Sequence, residues 1–381
     1  VNYLCNISSC GLMENNKLKI NFIIPFHNKS GGILAVLEYY LKLTEFGHDV
    51  KVYFPFIPYW KNILPATSSF PRRLLLFFKI LGYNLIKKPR QIEWHKNSVK
   101  IFPVPVISNL FIRNADICMA TSWPTAYDVY KLNRSKGAKF YFIQGYEIWD
   151  DKRLVDASFR LPLNLITISS WLTNLLRNNI GVEVEAQINN GVRLDRFYPP
   201  ETKNQYPLTV SMLYHTYVPK GAFVGLNALS RIKKKYSEIR IIVFGMFDKP
   251  EIDLDFEYYL NPSYYQLLNI YQSSHIFLFP SQCEGWGMTP LEAMACKCAV
   301  VGTKIGSIES IYNGDNVELI IPGDVDSAFC GIESLILNRD KLNQIAEEGF
   351  KSVQEYTWDK SAVELEKAFI NAMSHQKKNL Q

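Results

Sequence analysis

No apolar run in this 381-residue sequence is long enough to cross a bilayer. The longest, LLLFFKILGYNLI at 74–86, falls short of the roughly 20 residues that a spanning helix needs and is interrupted by Lys79. The opening VNYLCNISSCGL has neither a basic flank nor a sustained apolar core, so no secretory leader is expected there. Met13, at the head of MENNKLKINFIIPF, reads as a natural start just before a first strand, with residues 1–12 as upstream sequence or a disordered arm. Cysteine is present in an odd number, seven, and the close pair Cys296 and Cys298 has no second pair at zinc spacing. That argues against a zinc module or a disulfide framework and for reduced, structural thiols in the cytoplasm. No metal site is expected, and no internal repeat or low-complexity tract is found.

Acid is scarce in one place. Residues 51–100 hold ten Lys and Arg against a single acid, Glu93. Residues 1–200 carry 25 basic and 14 acidic residues, a net of +11, whereas 201–381 carry 17 and 22, a net of −5. The asymmetry points to an anionic partner for the first half. With 48% apolar residues, 22 Tyr and 23 Phe, the chain is globular rather than disordered, and its length suggests two domains with a core each.

Apolar strand-like runs alternate with helical patterns. KINFIIPF (19–26), HDVKVYFP (48–55), VKIFPV (99–104), DICMAT (116–121), AKFYFIQ (138–144) and LNLITI (163–168) read as strands, separated by helical runs such as GGILAVLEYYLKLTEFG (31–47). The pattern restarts near residue 208 with LTVSMLYH, KGAFVGLNALSRIKKKY and IRIIVFGM, and continues through HIFLFPS, CAVVGT and VELIIP. FYPPETKNQYP (197–207), with Pro199, Pro200 and Pro207, is the linker candidate. Strands with helical crossovers imply parallel sheets covered on both faces. The expectation is an α/β chain of two doubly wound, Rossmann-like domains facing a central cleft. Residues 1–200 form one and 201–355 the other, and a closing amphipathic helix occupies 356–381. Ligands of such sheets bind where carboxyl-end loops and helix N-termini converge.

The stretch SQCEGWGMTPLEAM follows the strand 275–281. Its glycines permit a tight turn and close approach of a ligand, and Thr289 and Pro290 suit a helix start. A helix N-terminus there offers N–H groups and a positive dipole end to a diphosphate. Glu292, placed in the first helical turn, is set to accept from a ribose diol, and Glu284 from the hydroxyls of a sugar beyond the phosphates. A capped structural helix with acidic first-turn residues is the alternative on spacing alone.

EGWGMTPLE resembles the E-x7-E signature of the retaining glycosyltransferases of family 4, which have the GT-B fold. NNGVRLDRFYPP (189–200), LYHTYVPKGAFVGLNAL, CAVVGTKIGSIESIYNG and YTWDKSAVELEKAF resemble further stretches of that family in the same order, and the likeness runs over about 20–375. The resemblance implies that Lys220 holds the donor diphosphate, that Glu292 binds the ribose and Glu284 the transferred sugar, and that the backbone around Gly287, Met288 and Thr289 meets the phosphates. Gly31 and Gly32 form the loop of the first domain that faces donor and acceptor, with a plain tight turn as the alternative. It also implies a closing helix that returns to the first domain, and catalysis without a metal or other cofactor beyond the nucleotide-diphosphate sugar itself.

Two departures stand out. His215 replaces the family's arginine five residues before the lysine, so one fixed cation is lost or becomes pH-dependent. The loop FIQGYEIWDD (142–151) has no histidine where the family often has one. It offers Gln144, Tyr146 and Glu147, and its Q-x-Y-E is similar to that of some bacterial polysaccharide rhamnosyltransferases. Glu147 is read either as a general base or as a helix-capping carboxylate. His27 is read as a satisfied loop histidine or a cleft residue, and His48 as structural.

The segment SSFPRRLLLFFKILGYNLIKKPRQ (68–91) has six basic residues and no acid. Helical spacing gives an apolar face rimmed by Arg72, Arg73, Lys79, Lys87 and Lys88, the pattern of a helix lying in an anionic membrane interface. A core helix with solvated ends is the alternative. A nucleic-acid patch is less apt because the interior is aliphatic rather than stacking, so nucleic acid is not expected as a partner. The combined expectation is a retaining, metal-independent glycosyltransferase, cytoplasmic and peripheral on the inner face of the cell membrane. It would move a sugar from a nucleotide-diphosphate donor to a glycan or lipid-linked acceptor in bacterial surface polysaccharide or glycolipid synthesis. A catalytically degenerate binding or scaffold subunit is the alternative, and a nucleotide-sugar epimerase of the same fold a third.

Overall fold

The structure, a computed structural model, describes residues 17–27, 30–59, 69–87, 91–94, 97–147, 151–203 and 206–378. The expected start at Met13, and Lys88 and Arg90 of the basic segment, lie outside these residues.

Among the described residues the first sheet comprises β1 (Lys19–Ile23), β2 (Asp49–Pro55), β3 (Gln91–Trp94), β4 (Asn97–Val104), β5 (Ile117–Ala120), β6 (Ala138–Ile143), β7 (Asn164–Thr167) and β8 (Ala186–Gln187). Their spatial order is β3-β4-β2-β1-β5-β6-β7-β8. All pairings are parallel except β3 with β4, a hairpin that the strand pattern of the sequence did not predict. The second sheet comprises β9 (Thr209–Tyr214), β10 (Arg240–Gly245), β11 (Glu257–Leu260), β12 (Ile276–Phe279), β13 (Ala299–Thr303) and β14 (Glu318–Ile320), parallel throughout and ordered β11-β10-β9-β12-β13-β14. The central strands read as continuous apolar runs because helices cover both of their faces.

Those helices are α1 (Gly31–Glu45), α2 (Phe70–Lys87), α3 (Trp123–Lys131), α4 (Lys152–Phe159), α5 (Ser170–Leu175), α6 (Ala222–Lys235), α7 (Tyr264–Ser273), α8 (Met288–Ala295), α9 (Ser307–Ile311), α10 (Val325–Leu337), α11 (Arg339–Val353) and α12 (Trp358–Lys378). In α1 the apolar positions Ile33, Val36, Leu37 and Leu43 share one buried side. The helix stops before Gly47, whose φ of +93° ends it cheaply.

The final helix returns to the first sheet as expected. Lys42 pairs with Asp359 at 3.0 Å, His48 with Glu366 at 3.0 Å, and Phe140 meets Phe369 edge-on at 4.9 Å. His48 also accepts the Leu18 N–H through Nδ1 at 3.2 Å, the structural role read for it. One apolar cluster runs from the first sheet through α12 to the near face of the second sheet, where it includes Phe244, Tyr271, Phe277 and Trp286. A separate cluster fills the far face of the second sheet. The described cysteines Cys118, Cys283, Cys296, Cys298 and Cys330 are free thiols. No described helix is long and apolar enough to cross a membrane.

Candidate active site

Because every strand of the second sheet runs the same way, its carboxyl ends share one edge. At that edge β9 gives way to a single 3₁₀ turn, Val218–Lys220, and then to Gly221 and α6. Gly221 has a φ of +70°, and a Cβ there would lie 2.0 Å from the Pro280 carbonyl oxygen. Only glycine lets the loop after β9 lie so close to the loop after β12. The Gln282 N–H donates to the Pro219 carbonyl across the same contact at 2.7 Å.

This approach sets Lys220 against Glu284, 64 positions away in sequence, with Nζ 2.7 Å from each carboxylate oxygen. Ser281 Oγ donates to Glu284 Oε1 at 3.0 Å. Glu284 is only 8% exposed, so its charge is held by these two donors rather than by water. Neither Ser281 nor the direct pairing of Lys220 with Glu284 was legible in the motif spacing.

His215 sits beside this pair. Its Nδ1 accepts the Tyr217 N–H at 2.9 Å, and its ring meets Phe247 edge-on at 4.8 Å. Burial, and then the charge of Lys220, hold its pKa below the usual histidine value, against a smaller opposing pull from Glu284.

The helix expected after the glycine turn is α8, and it begins at Met288, with Gly287 at the N-cap position. Gly287 brings no side-chain cap. The first-turn N–H groups of Met288 and Thr289 have no acceptor within the helix, which suits an anion. Glu292 is the fifth residue of α8, so it lies just past the first turn expected for it. There it accepts the phenolic proton of Tyr271 through Oε2 at 2.9 Å. Burial pushes its carboxyl up to about 7, partly offset by that hydrogen bond. Tyr271, fully buried on α7, is the partner that sequence reasoning missed; its spacing marks it only as a core aromatic.

The first sheet contributes the opposite wall. Gly31 and Gly32 open α1 after β1, and Gln144 follows β6. A Cβ on Gly32 would sit 3.4 Å from Gln144 Nε2, and one on Gly285 would sit 1.8 Å from the Gln144 carbonyl oxygen. The two halves therefore touch through Gln144 at the very loop that carries Glu284.

The rest of the Q-x-Y-E loop turns to other tasks. Glu147 Oε2 accepts the Trp123 N–H at 2.9 Å, the geometry of the capping alternative at the start of α3. The Tyr146 hydroxyl donates to Asp156 at 2.7 Å, with Lys152 over its ring at 5.7 Å. His27 lies 3.3 Å from the Gln91 carbonyl oxygen through Nε2 and packs near Phe54, as a satisfied loop histidine does. Among the described residues, no group of three or more His, Cys, Asp or Glu is arranged to hold a metal ion.

Residues 197–352 match the family described as glycosyl transferases group 1. The capsular polysaccharide biosynthesis glycosyltransferase CapM of Staphylococcus aureus is 23% identical over 246 residues, which are 59% of this chain and 63% of that protein. The chain thus spans less than two thirds of that relative's length. In fold it superposes on the sucrose-phosphate synthase of Thermosynechococcus elongatus with a TM-score of 0.71 at 13% identity, over 94% of this chain and all of that one. It also superposes on HepE of Anabaena, solved with UDP and glucose, with a TM-score of 0.66 at 14% identity, over 93% of this chain and all of that one.

Proposed function

Starting from a chain that has the GT-B fold and carries a glycosyl transferases group 1 domain, we propose that the protein is a retaining glycosyltransferase using a nucleotide-diphosphate sugar. The observation that carries the reading is the convergence of Lys220, Glu284 and the uncapped start of α8 on one sheet edge, opposite Gln144 and the start of α1. The solved complexes of HepE with UDP-glucose support a nucleotide sugar as donor.

In this reading the donor binds mainly to the second half and the acceptor to residues 1–200. The diphosphate lies against the amides of Met288 and Thr289. It draws Lys220 away from Glu284, whose carboxylate then accepts hydroxyls of the sugar. Lys220 and the helix end stabilise the charge that grows on the departing diphosphate. The acceptor hydroxyl attacks the anomeric carbon on the face the diphosphate leaves, and the departing phosphate oxygen takes its proton, which retains the configuration. Two observations favour a route without a dedicated base: Gln144 is an amide with no useful basicity, and the Glu147 carboxylate is engaged at the start of α3. Turnover is expected to be unchanged by EDTA, and a loss on chelation that magnesium restores would replace the proposed role of Lys220 with that of an ion.

The acceptor is proposed to be a glycan or lipid-linked glycan of a bacterial surface polysaccharide or glycolipid, met on the inner face of the cell membrane. The support for a membrane surface is α2. Phe70, Leu75, Phe78 and Ile86 on it are exposed, beside the exposed cations Arg72 and Lys79.

The deciding experiment is a thermal-shift screen of the full chain against UDP-, GDP-, dTDP- and ADP-linked sugars, repeated with Glu292→Ala. A rise in melting temperature with one nucleotide class, lost in the variant, is the expected result, since binding the native state stabilises it by mass action. No rise with any donor, together with no turnover, would leave a scaffold subunit as the better account.

A further inference from the structure

The Tyr271 phenol is held in one place. The residue is fully buried on α7, and its ring stands edge-on to Phe197 at 5.7 Å, to Phe244 at 5.8 Å and to Phe277 at 5.6 Å between centroids. Its carbonyl accepts the Cys298 thiol proton at 3.0 Å. Ring and backbone are both fixed, and they carry the hydroxyl to Glu292 Oε2 at 2.9 Å. A hydrogen bond is directional, so a donor that cannot move selects one orientation of the carboxylate it reaches.

Glu292 depends on this contact in a way that Glu284 does not. Glu284 is met by the Lys220 ammonium and by Ser281. Among the described residues no cation pairs with Glu292, the Tyr271 hydroxyl is its one side-chain partner, and Oε1 has none. The residue is half-buried, which leaves Oε1 open to a ligand. The phenol is also what favours the charged form of this carboxyl against its burial.

We propose that Tyr271 is a positioning residue for donor recognition: by holding Oε2 of Glu292 it turns Oε1 toward the ribose hydroxyls of the nucleotide. The proposal rests on the donor-site reading above and deepens it. Tyr271 touches no substrate, and its effect on binding passes entirely through Glu292. A site arranged to accept a hydroxyl discriminates against the ligand that lacks it, and here the arrangement is made by a side chain on the neighbouring helix.

Calorimetric titration of the full chain tests it with UDP, GDP, dTDP and ADP, each beside its 2′,3′-dideoxy form. For the nucleotide that binds, removing the ribose hydroxyls is expected to weaken wild-type binding about tenfold. Tyr271→Phe should weaken binding of the hydroxylated nucleotide by about the same factor and leave the dideoxy form as it is in the wild type. Added to Glu292→Ala, which removes the carboxylate that Tyr271→Phe would strand, the same change should have no further effect on affinity. Equal weakening of both forms of the nucleotide by Tyr271→Phe would make Tyr271 merely structural and overturn the proposal. So would wild-type affinity of Tyr271→Phe for the hydroxylated form, or a further loss on the Glu292→Ala background, and in each of these cases the donor site itself stands. If none of the four nucleotides binds, or if Glu292→Ala binds them as the wild type does, the donor-site reading fails and this inference with it.

Discussion

At the scale of single residues, the pairing of Lys220 with Glu284 makes a separable prediction. On the proposed role, Lys220→Ala removes a donor to the developing negative charge, a loss of about 2.7–4 kcal/mol or 10²–10³ in turnover. It also strands a carboxylate that is 8% exposed, so the melting temperature should fall. Adding Glu284→Gln should restore the melting temperature, because the unpaired charge is gone, and leave turnover low. Recovery of both would show that Lys220 serves stability alone. Glu292 makes a pH prediction. Its carboxyl is raised to about 7 from an ordinary 4.5, so the folded state holds a proton that the unfolded chain has released. Stability should therefore fall as pH rises from about 4.5 to about 7, by on the order of 3 kcal/mol, and stay level above that. Glu292→Gln should flatten that slope in pH-dependent thermal melts. Binding runs the opposite way: a carboxylate accepts ribose hydroxyls better than a carboxylic acid, so donor affinity in the wild type should weaken below about pH 7.

At the scale of elements, the proposed donor and membrane contacts rest on the starts of α8 and α1 and on the exposed side of α2. The α2 wheel was legible in sequence as apolar positions among cations. What was not legible was which side faces protein. The buried Asn84, bonded to the Phe56 carbonyl at 2.9 Å, marks the inward side and leaves Leu75, Phe78 and Ile86 outward. Replacing Arg72 and Lys79 with Glu should lower affinity for phosphatidylserine vesicles, read by co-sedimentation, by about 30-fold or more, at roughly 1 kcal/mol for each cation lost near an anionic surface. The melting temperature should change little, since both side chains are exposed. Unchanged sedimentation would assign the exposed face to something other than a membrane. The deeper place of Glu292 on α8 is an element-scale correction too. The helix begins at Met288, ahead of the Thr289 and Pro290 expected to start it, and that shift moves Glu292 out of the first turn.

For the whole molecule, the contact between halves is the point of interest. Gly285 lies so close to the Gln144 carbonyl that a Cβ would fall 1.8 Å from that oxygen. Gly285→Ala should hold the halves apart at the mouth of the site and lower kcat/KM by roughly 100-fold, the usual result of misplacing reactive groups by an ångström. Its melting temperature should be near that of the wild type, since each sheet keeps its own packing, and X-ray scattering should report a larger radius of gyration with donor bound. A variant as active and as compact as the wild type would remove this contact from the working form.

The sequence by itself determined the two runs of parallel strands, the glycine turn after HIFLFPS and the helix that follows it. All of these are local: apolar continuity, turn chemistry and helix starts act within a few residues. It also determined that Lys220 and Glu284 fall on loops at carboxyl ends of strands and that Glu292 lies on the helix that follows. Tertiary structure alone decided the pairing of Lys220 with Glu284, the hold of Tyr271 on Glu292, the bond from the Tyr217 N–H to His215 and the engagement of Glu147 at α3. Each depends on a distance between segments that are remote in sequence or on the path of one loop, and neither residue spacing nor composition encodes such a distance.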